Sequence, residues 1–256
     1  MSDYVLSTEA DAIEGRRMAL LFAYHGAVTI EVLKAAGISQ GWRCLEIGAG
    51  GGGITRWLAD RVGPGGSVLA VDLETHWLEP LVGEVVEVRR GDFGQLDLSR
   101  ASFDLVVAQM LLLHLPDPVQ ACRRFVQLTA PSGQIVIHDT DFTPLALADA
   151  TADEAAGIAV MPDVMRAAGV DLALGPRLAS LLEGAGAIID EVKTQPGDTP
   201  QDGRIAAEIT AITIERFRDR TPVPDEMIDT ALAALRDPKR QLTGPTRWVV
   251  RAHVTA

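Results

Sequence analysis

CLEIGAGGGGIT, residues 44–55, runs an apolar stretch into a glycine-rich turn and then into a helix-like segment. Gly48, Gly50 and Gly53 satisfy the G-x-G-x-x-G spacing of a dinucleotide loop, and Glu46 stands two residues before the first of them. A glycine turn between strand and helix lets a ligand approach the backbone, while the helix N-terminus adds free N–H groups and partial positive charge. The stretch predicts the first strand, turn and helix of a doubly wound sheet.

Working outward, RCLEIGA, ITRWLADRV, SVLAVDL, a short helix near WLEPLVG, VVEVRRGD, FDLVVAQ, a helix from Pro118 to about Thr129 and GQIVIHD follow one another. Near-continuous apolar strands alternating with helices imply a mostly parallel α/β sheet covered on both faces, with ligands beyond the carboxyl ends of the strands. Upstream, Ala10 to Ala36 reads as helix, with Leu20, Tyr24, Val28 and Val32 spaced by four, Gly26 as a bend or break and Gly37 as a C-cap. Residues 142–176 interrupt the alternation with Ala- and Met-rich helical material that reads as a lid. RLASLLEGAG is then a helix and AIIDEVKTQ a strand, two helices follow near 203–219 and 225–236, and TRWVVRAHVTA closes the chain as a candidate antiparallel edge. The expectation is a Rossmann-like sheet of seven strands in one domain over 1–256. It comprises a helical cap (1–37), a cofactor-binding half (38–141), a helical lid insertion (142–176) and the C-terminal half of the sheet with inserted helices (177–256).

Among 256 residues, 35 Asp and Glu outweigh 23 Lys and Arg, and the net charge of −12 repels nucleic acid and anionic lipid. A small-molecule substrate is favoured. Cys44 and Cys122 have the spacing of neither a disulfide framework nor a metal clip, so no metal is expected and the compartment reads as reducing. MSDYVLSTEADAIEGRR lacks a basic n-region and an apolar h-region, and no apolar run reaches the ~18–20 residues of a membrane helix. These features read as a cytoplasmic protein.

The loop leaves two cofactor readings. For NAD(P), Asp72 at the end of SVLAVD stands about 20 residues on and takes the ribose, but Glu46 would face a pyrophosphate. For S-adenosylmethionine, which carries an α-ammonium, a ribose diol and an adenine, Glu46 with Gly48, Gly50 and Gly52 forms a fitting E-x-G-x-G-x-G. LEIGAGGGG, VDLE, RRGDF, FDLVVAQMLLLHLPDP and APSGQIVIHD, each at a predicted strand end, resemble the class I S-adenosylmethionine-dependent methyltransferases of small-molecule type over residues 40–141. The resemblance implies that Asp72 holds the ribose and Leu73 packs on the adenine. It also implies that Asp92 accepts from the adenine amino group with the Phe93 backbone beside it, and that Gln109 faces the methionine end.

A protonated oxygen or nitrogen acceptor needs a base, and histidine suits that task. His114, after the fourth strand, is the first candidate, with packing as its competing role; His138 at the end of the fifth strand and Tyr24 at the expected helix bend are the others. Asp139 and Asp141 beside His138 orient a substrate or cap a turn, His25 reads as packing, His76 and Trp77 as an adenine border or exposed loop, and His253 as structural. Leu145, Leu147, Ile158, Val160, Met161, Val164 and Met165 read either as the wall of an apolar substrate site or as a helix-packing or homodimer face. The resulting expectation is methyl transfer to O, N or C of a small, apolar molecule, with secondary metabolism as its setting. An NAD(P)-dependent oxidoreductase and a cyclase-like or binding protein that retains the cofactor's methyl stay open as alternatives.

Overall fold

Five of the apolar runs form parallel strands: β1 (Arg43–Ile47), β2 (Ser67–Asp72), β3 (Val86–Arg90), β4 (Phe103–Gln109) and β5 (Thr129–Asp141). The computed structural model describes residues 12–98 and 102–255 of the chain; the expected helix start at Ala10 lies outside them. The strands are ordered β3-β2-β1-β4-β5, so the winding reverses between β1 and β4, where Glu46 pairs with Ala70 on one side and Val107 on the other. A reversal opens a crevice at the strands' carboxyl ends. Leu45, Ile47, Val106 and Ile137 are buried on one side of the sheet, while Cys44, Val68, Leu105 and Val136 are buried in a second cluster.

Helices α1 (Ala12–Ala35), α2 (Gly53–Val62) and α3 (Pro118–Leu128) pack on this sheet. α3 starts where the sequence signals a start: Asp117 accepts the Gln120 N–H at 2.8 Å, and Pro118 occupies a first-turn position whose missing N–H costs nothing. α1 departs from expectation by running unbroken through Gly26. There the absent side chain makes room for Phe22, whose ring would lie 2.6 Å from a Cβ. α1 also has the length and mean hydropathy (1.3) of a membrane span, contrary to the sequence reading, yet it packs against α2, β5, β8 (Leu242–His253) and α6 (Pro200–Phe217). Tyr24, Val28, Val32 and Leu33 are buried in those contacts.

The closing strand β8 is antiparallel, as expected, but it lies inside the sheet between β5 and β7 (Ile188–Gly197). β7 takes the edge position that the sequence assigns to the last strand. Val249 and Val250 of β8 are both fully buried, which fits an interior strand covered on two faces. The two-residue β6 (Ala146–Leu147) adds an eighth, minor member beside Leu242 and Thr243. Residues of the expected lid form β6 and α4 (Ala152–Ala167), which starts on a Thr151–Glu154 capping box and packs on α7 (Asp225–Arg236) and α6. α5 (Leu178–Gly184) leads into β7.

The turn from β1 to α2 places Gly52 in the left-handed region (φ 73°), where an added Cβ would sit 2.5 Å from Leu81 Cδ1 and 3.1 Å from Leu78 Cδ2. Backbone strain and crowding therefore act together. The Gly52→Ala protein is expected to lose about 1–3 kcal/mol of stability, read as a lower urea midpoint at unchanged m value.

Candidate active site

A cavity of about 1350 Å³ opens at the winding reversal, between α1, the glycine turn, the carboxyl ends of β2 to β4 and α4. Glu46, Gly48, Gly50 and Asp72 line it. So do Leu73, Asp92, Phe93 and Gln109, and the topology brings all eight residues together from the ends of β1, β2, β3 and β4. Gly52 is not among the lining residues; its contribution is the turn itself.

Glu46 is 3% exposed and accepts a hydrogen bond from Thr55 Oγ1 on α2. Burial pushes its carboxyl up to about 8, partly offset by the Thr55 hydroxyl and reinforced by the nearby Asp72 charge. A cationic ligand group would return it to carboxylate. Asp72 accepts the N–H groups of Gly50 (2.8 Å) and Glu74 (3.0 Å), while burial raises its carboxyl above the usual range. The turn spends its other amides internally: Gly48 and Ala49 donate to Val71 O at 2.8 and 3.3 Å, and Gly52 donates to Ala49 O at 2.9 Å. Asp92 orders its own loop through the Gly94 N–H (2.8 Å) and Gln95 Nε2 (2.9 Å). Leu73, an apolar side chain 43% exposed on the cavity wall, is placed to cover a planar group.

Beyond Gln109 the chain turns at Met110, whose φ of 55° is uncommon for a side chain of this size and whose N–H donates to His138 O at 2.7 Å. Met110 lines the cavity, and so does His114, which ends the 3₁₀ turn Leu112–His114. Burial and then the Arg17 charge lower the His114 imidazole to about 4, so at neutral pH it is uncharged. The fully buried Asp139 holds that turn by accepting the Leu112 N–H at 3.0 Å, and burial keeps its carboxyl well above the ordinary value.

Two of the candidate bases stand elsewhere. Tyr24 is buried, donates its hydroxyl to Pro245 O at 2.8 Å and lies under the Arg247 guanidinium, and burial pushes the phenol up beyond its ordinary range. Gly197 and Gly244 close on its hydroxyl, each so near that a Cβ would collide with it. His138 is also fully buried, hydrogen-bonded to Thr29 Oγ1 at 2.6 Å and to His25 Nδ1 at 3.3 Å, and does not line the cavity. The reason is strand alternation: His138 turns toward α1, whereas Asp139 turns toward the Leu112–His114 turn. His25, read as packing from the sequence, lines the cavity instead.

Gly15, Met18, Phe22 and His25 form a cavity-facing stripe of α1 at spacings of three, four and three. Sequence reasoning missed Met18 and Phe22 because it followed a neighbouring face, Tyr24–Val28–Val32, whose periodicity is clearer. Trp77 lines the cavity near Gly15, His76 packs edge-on to Trp77, and His253 meets Asp190 at 2.8 Å. From the 142–176 segment, Phe142, Met161 and Met165 reach the cavity. Leu145, Leu147, Ile158, Val160 and Val164 pack with the core and do not line it.

Residues 45–137, which hold every cofactor candidate named above, match the family described as the methyltransferase domain. Over this segment the chain is similar to that family. Among curated proteins, the chain is 31% identical over 138 residues to methyltransferase str2 of Strobilurus tenacellus, covering 52% of this chain and 48% of that protein. It is 33% identical over 98 residues to nocamycin O-methyltransferase of Saccharothrix syringae, covering 36% and 35% of the two chains. The matches thus span about half or less of these relatives' length. Phosphoethanolamine N-methyltransferase 2 of Haemonchus contortus, solved with S-adenosyl-L-methionine, superposes over 100% of this chain and 60% of that one, with a TM-score of 0.66 at 18% identity. That likeness extends the fold of the methyltransferase domain to the whole chain.

Proposed function

We propose that this protein transfers a methyl group from S-adenosylmethionine to a small, largely apolar molecule. The observation that carries the cofactor reading is the polarity of the turn. Its edge presents carboxyl groups, Glu46 and Asp72, and the Gly48, Ala49, Gly50 and Gly52 amides are already hydrogen-bonded within the protein. A pyrophosphate needs such amides free, whereas an ammonium and a ribose diol need the carboxylates. In this reading Glu46 holds the α-ammonium, Asp72 the ribose hydroxyls and Asp92 the adenine amino group, with Leu73 and Phe93 against the ring. Gly48, Gly50 and Gly52 shape the turn, and Gln109 faces the methionine end.

The bound cofactor supplies an electrophilic methyl on a sulfonium. The protein's own work is alignment of the acceptor and exclusion of water. His114 lines the cavity beside Met110, and Phe142, Met161 and Met165 give that side of the cavity apolar walls, the part of the 142–176 insertion that serves as a lid.

S-adenosylhomocysteine is expected to raise the melting temperature and NADH to leave it unchanged. Incubation with methyl-labelled cofactor and a panel of hydroxylated apolar metabolites is expected to yield labelled product and S-adenosylhomocysteine in equal amounts. Acceptor conversion without cofactor consumption would replace transfer by the cofactor-retaining reading. Asp72→Ala is expected to weaken S-adenosylhomocysteine binding by about 10- to 100-fold in calorimetry, the worth of charge-assisted hydrogen bonds to the diol.

A further inference from the structure

We propose that His25 is the proton acceptor presented to the methyl acceptor, and that His138 and Thr29 fix the tautomer in which it acts. The inference rests on the methyl-transfer reading and adds to it the class of acceptor that a bare ring nitrogen suits: a hydroxyl compound, which brings its own proton.

The tautomers follow from a chain of three buried side chains. Thr29 Oγ1 donates its one proton to His25 O, one helical turn earlier, at 3.2 Å. With that proton on His25 O, the same oxygen, 2.6 Å from His138 Nδ1, is assigned as the acceptor, which places the His138 proton on Nδ1 and leaves Nε2 bare. Across 3.3 Å, His25 Nδ1 donates to that bare nitrogen. With Nδ1 committed to His138, the nitrogen His25 has left for a molecule in the cavity is Nε2, with its lone pair. A packing histidine needs no such ordered backing. A hydrogen-bond acceptor in a cavity does, because the tautomer of one ring nitrogen is set by the bond the other makes.

The charged and titratable neighbours act in one direction. Arg247 of β8 stands behind the pair and His138 of β5 faces it, while Tyr24 of α1 packs edge-on with ring centroids 4.9 Å apart. Burial first, and Arg247 second, lower the His25 imidazole to about 3. Such a base cannot strip an ammonium acceptor before reaction. It can take the proton of a neutral hydroxyl as that oxygen bonds to the methyl carbon and becomes strongly acidic, while the C–S electron pair stays on sulfur. His25 then becomes an imidazolium whose Nδ1–H still points at His138 Nε2.

The test is histidine ¹⁵N–¹H NMR on the full chain. His25 and His138 are both expected as Nδ1–H tautomers, neutral from pH 8 to pH 5. Thr29→Val removes the acceptor for His138 Nδ1 and is expected to switch both rings to Nε2–H, and Thr29→Ser to restore them. An Nε2–H tautomer or a titration between pH 5 and 8 at wild-type His25 overturns the proposal, as does a His25 tautomer unchanged in Thr29→Val. If Thr29→Val does not fold, the wild-type tautomers and pH series decide. The readout needs neither cofactor nor acceptor, so its failure is separate from failure of S-adenosylhomocysteine to protect against heat. With a hydroxyl acceptor from the labelled-cofactor panel, His25→Gln is expected to lower kcat about 100-fold while S-adenosylhomocysteine affinity stays within twofold; turnover within threefold of wild type would also overturn it.

Discussion

Binding of S-adenosylhomocysteine is expected to tighten about tenfold per pH unit between pH 6 and 7.5 and to level off above pH 8, and Glu46→Gln is expected to abolish that slope. Without ligand the Glu46 carboxyl, raised by burial to about 8, holds a proton through neutral pH. The ligand's ammonium pairs with the carboxylate, so binding expels that proton and is favoured as pH rises. At pH 8 the glutamine protein should bind about 10- to 100-fold more weakly, the worth of a charged hydrogen bond in a buried site. 5′-Methylthioadenosine, which has the nucleoside but no amino acid, should show no slope in either protein. Isothermal titration across pH checks all three outcomes.

Glu46 has an opposite effect on the free protein. Its folded value lies above the unfolded value near 4.5, so its contribution to stability is fully present below that value and is lost as pH rises toward 8. The loss is on the order of a few kcal/mol. Chemical denaturation of the ligand-free protein should show it, and the glutamine variant should lack it.

Arg247→Met is expected to lose about 3–5 kcal/mol, a fall of about 10 °C in Tm for a chain of this size. Arg247 is 3% exposed, and its guanidinium donates to Tyr24 O and Asp202 Oδ1 at 2.8 Å and to Pro196 O at 2.9 Å, with Cζ 4.3 Å from the Tyr24 ring centroid. One side chain of β8 thus ties α1, α6 and the end of β7. Methionine fills similar volume but leaves the Asp202 carboxylate and two carbonyl oxygens without that donor. Asp202 is less buried than the arginine, so Asp202→Asn should cost less because an amide still meets the guanidinium. Differential scanning calorimetry ranks the two variants. Because His25 follows Tyr24 on α1, the methionine protein should also broaden the His25 NMR signals.

The parallel half was legible because its strands are continuous apolar runs and the carboxyl groups that line the cavity lie at or just beyond their ends. Glu46 lies within β1, Asp72 ends β2 and Asp92 follows β3 after Gly91, so each was found by reading to the end of a strand. Placement of β8 was not legible, since an apolar strand reads alike at an edge and in the interior; partner geometry alone puts it between β5 and β7. Among the histidines, the sequence marks types and strand ends but not which way a ring turns. His138 ends an apolar strand beside acids, the expected place for chemistry, yet its ring points into α1 and backs His25.

What the sequence determined by itself is therefore the local and periodic part: the glycine turn, the acids at successive strand ends, and the helix start at Pro118. What only the tertiary structure decided is the face each side chain of α1 presents and the partners of the buried polar groups. α1 is apolar on two sides, one against the sheet and one along the cavity, and its period cannot rank them. The Thr29–His138–His25 chain joins residues more than 100 positions apart, and only packing β5 against α1 brings them within hydrogen-bonding distance.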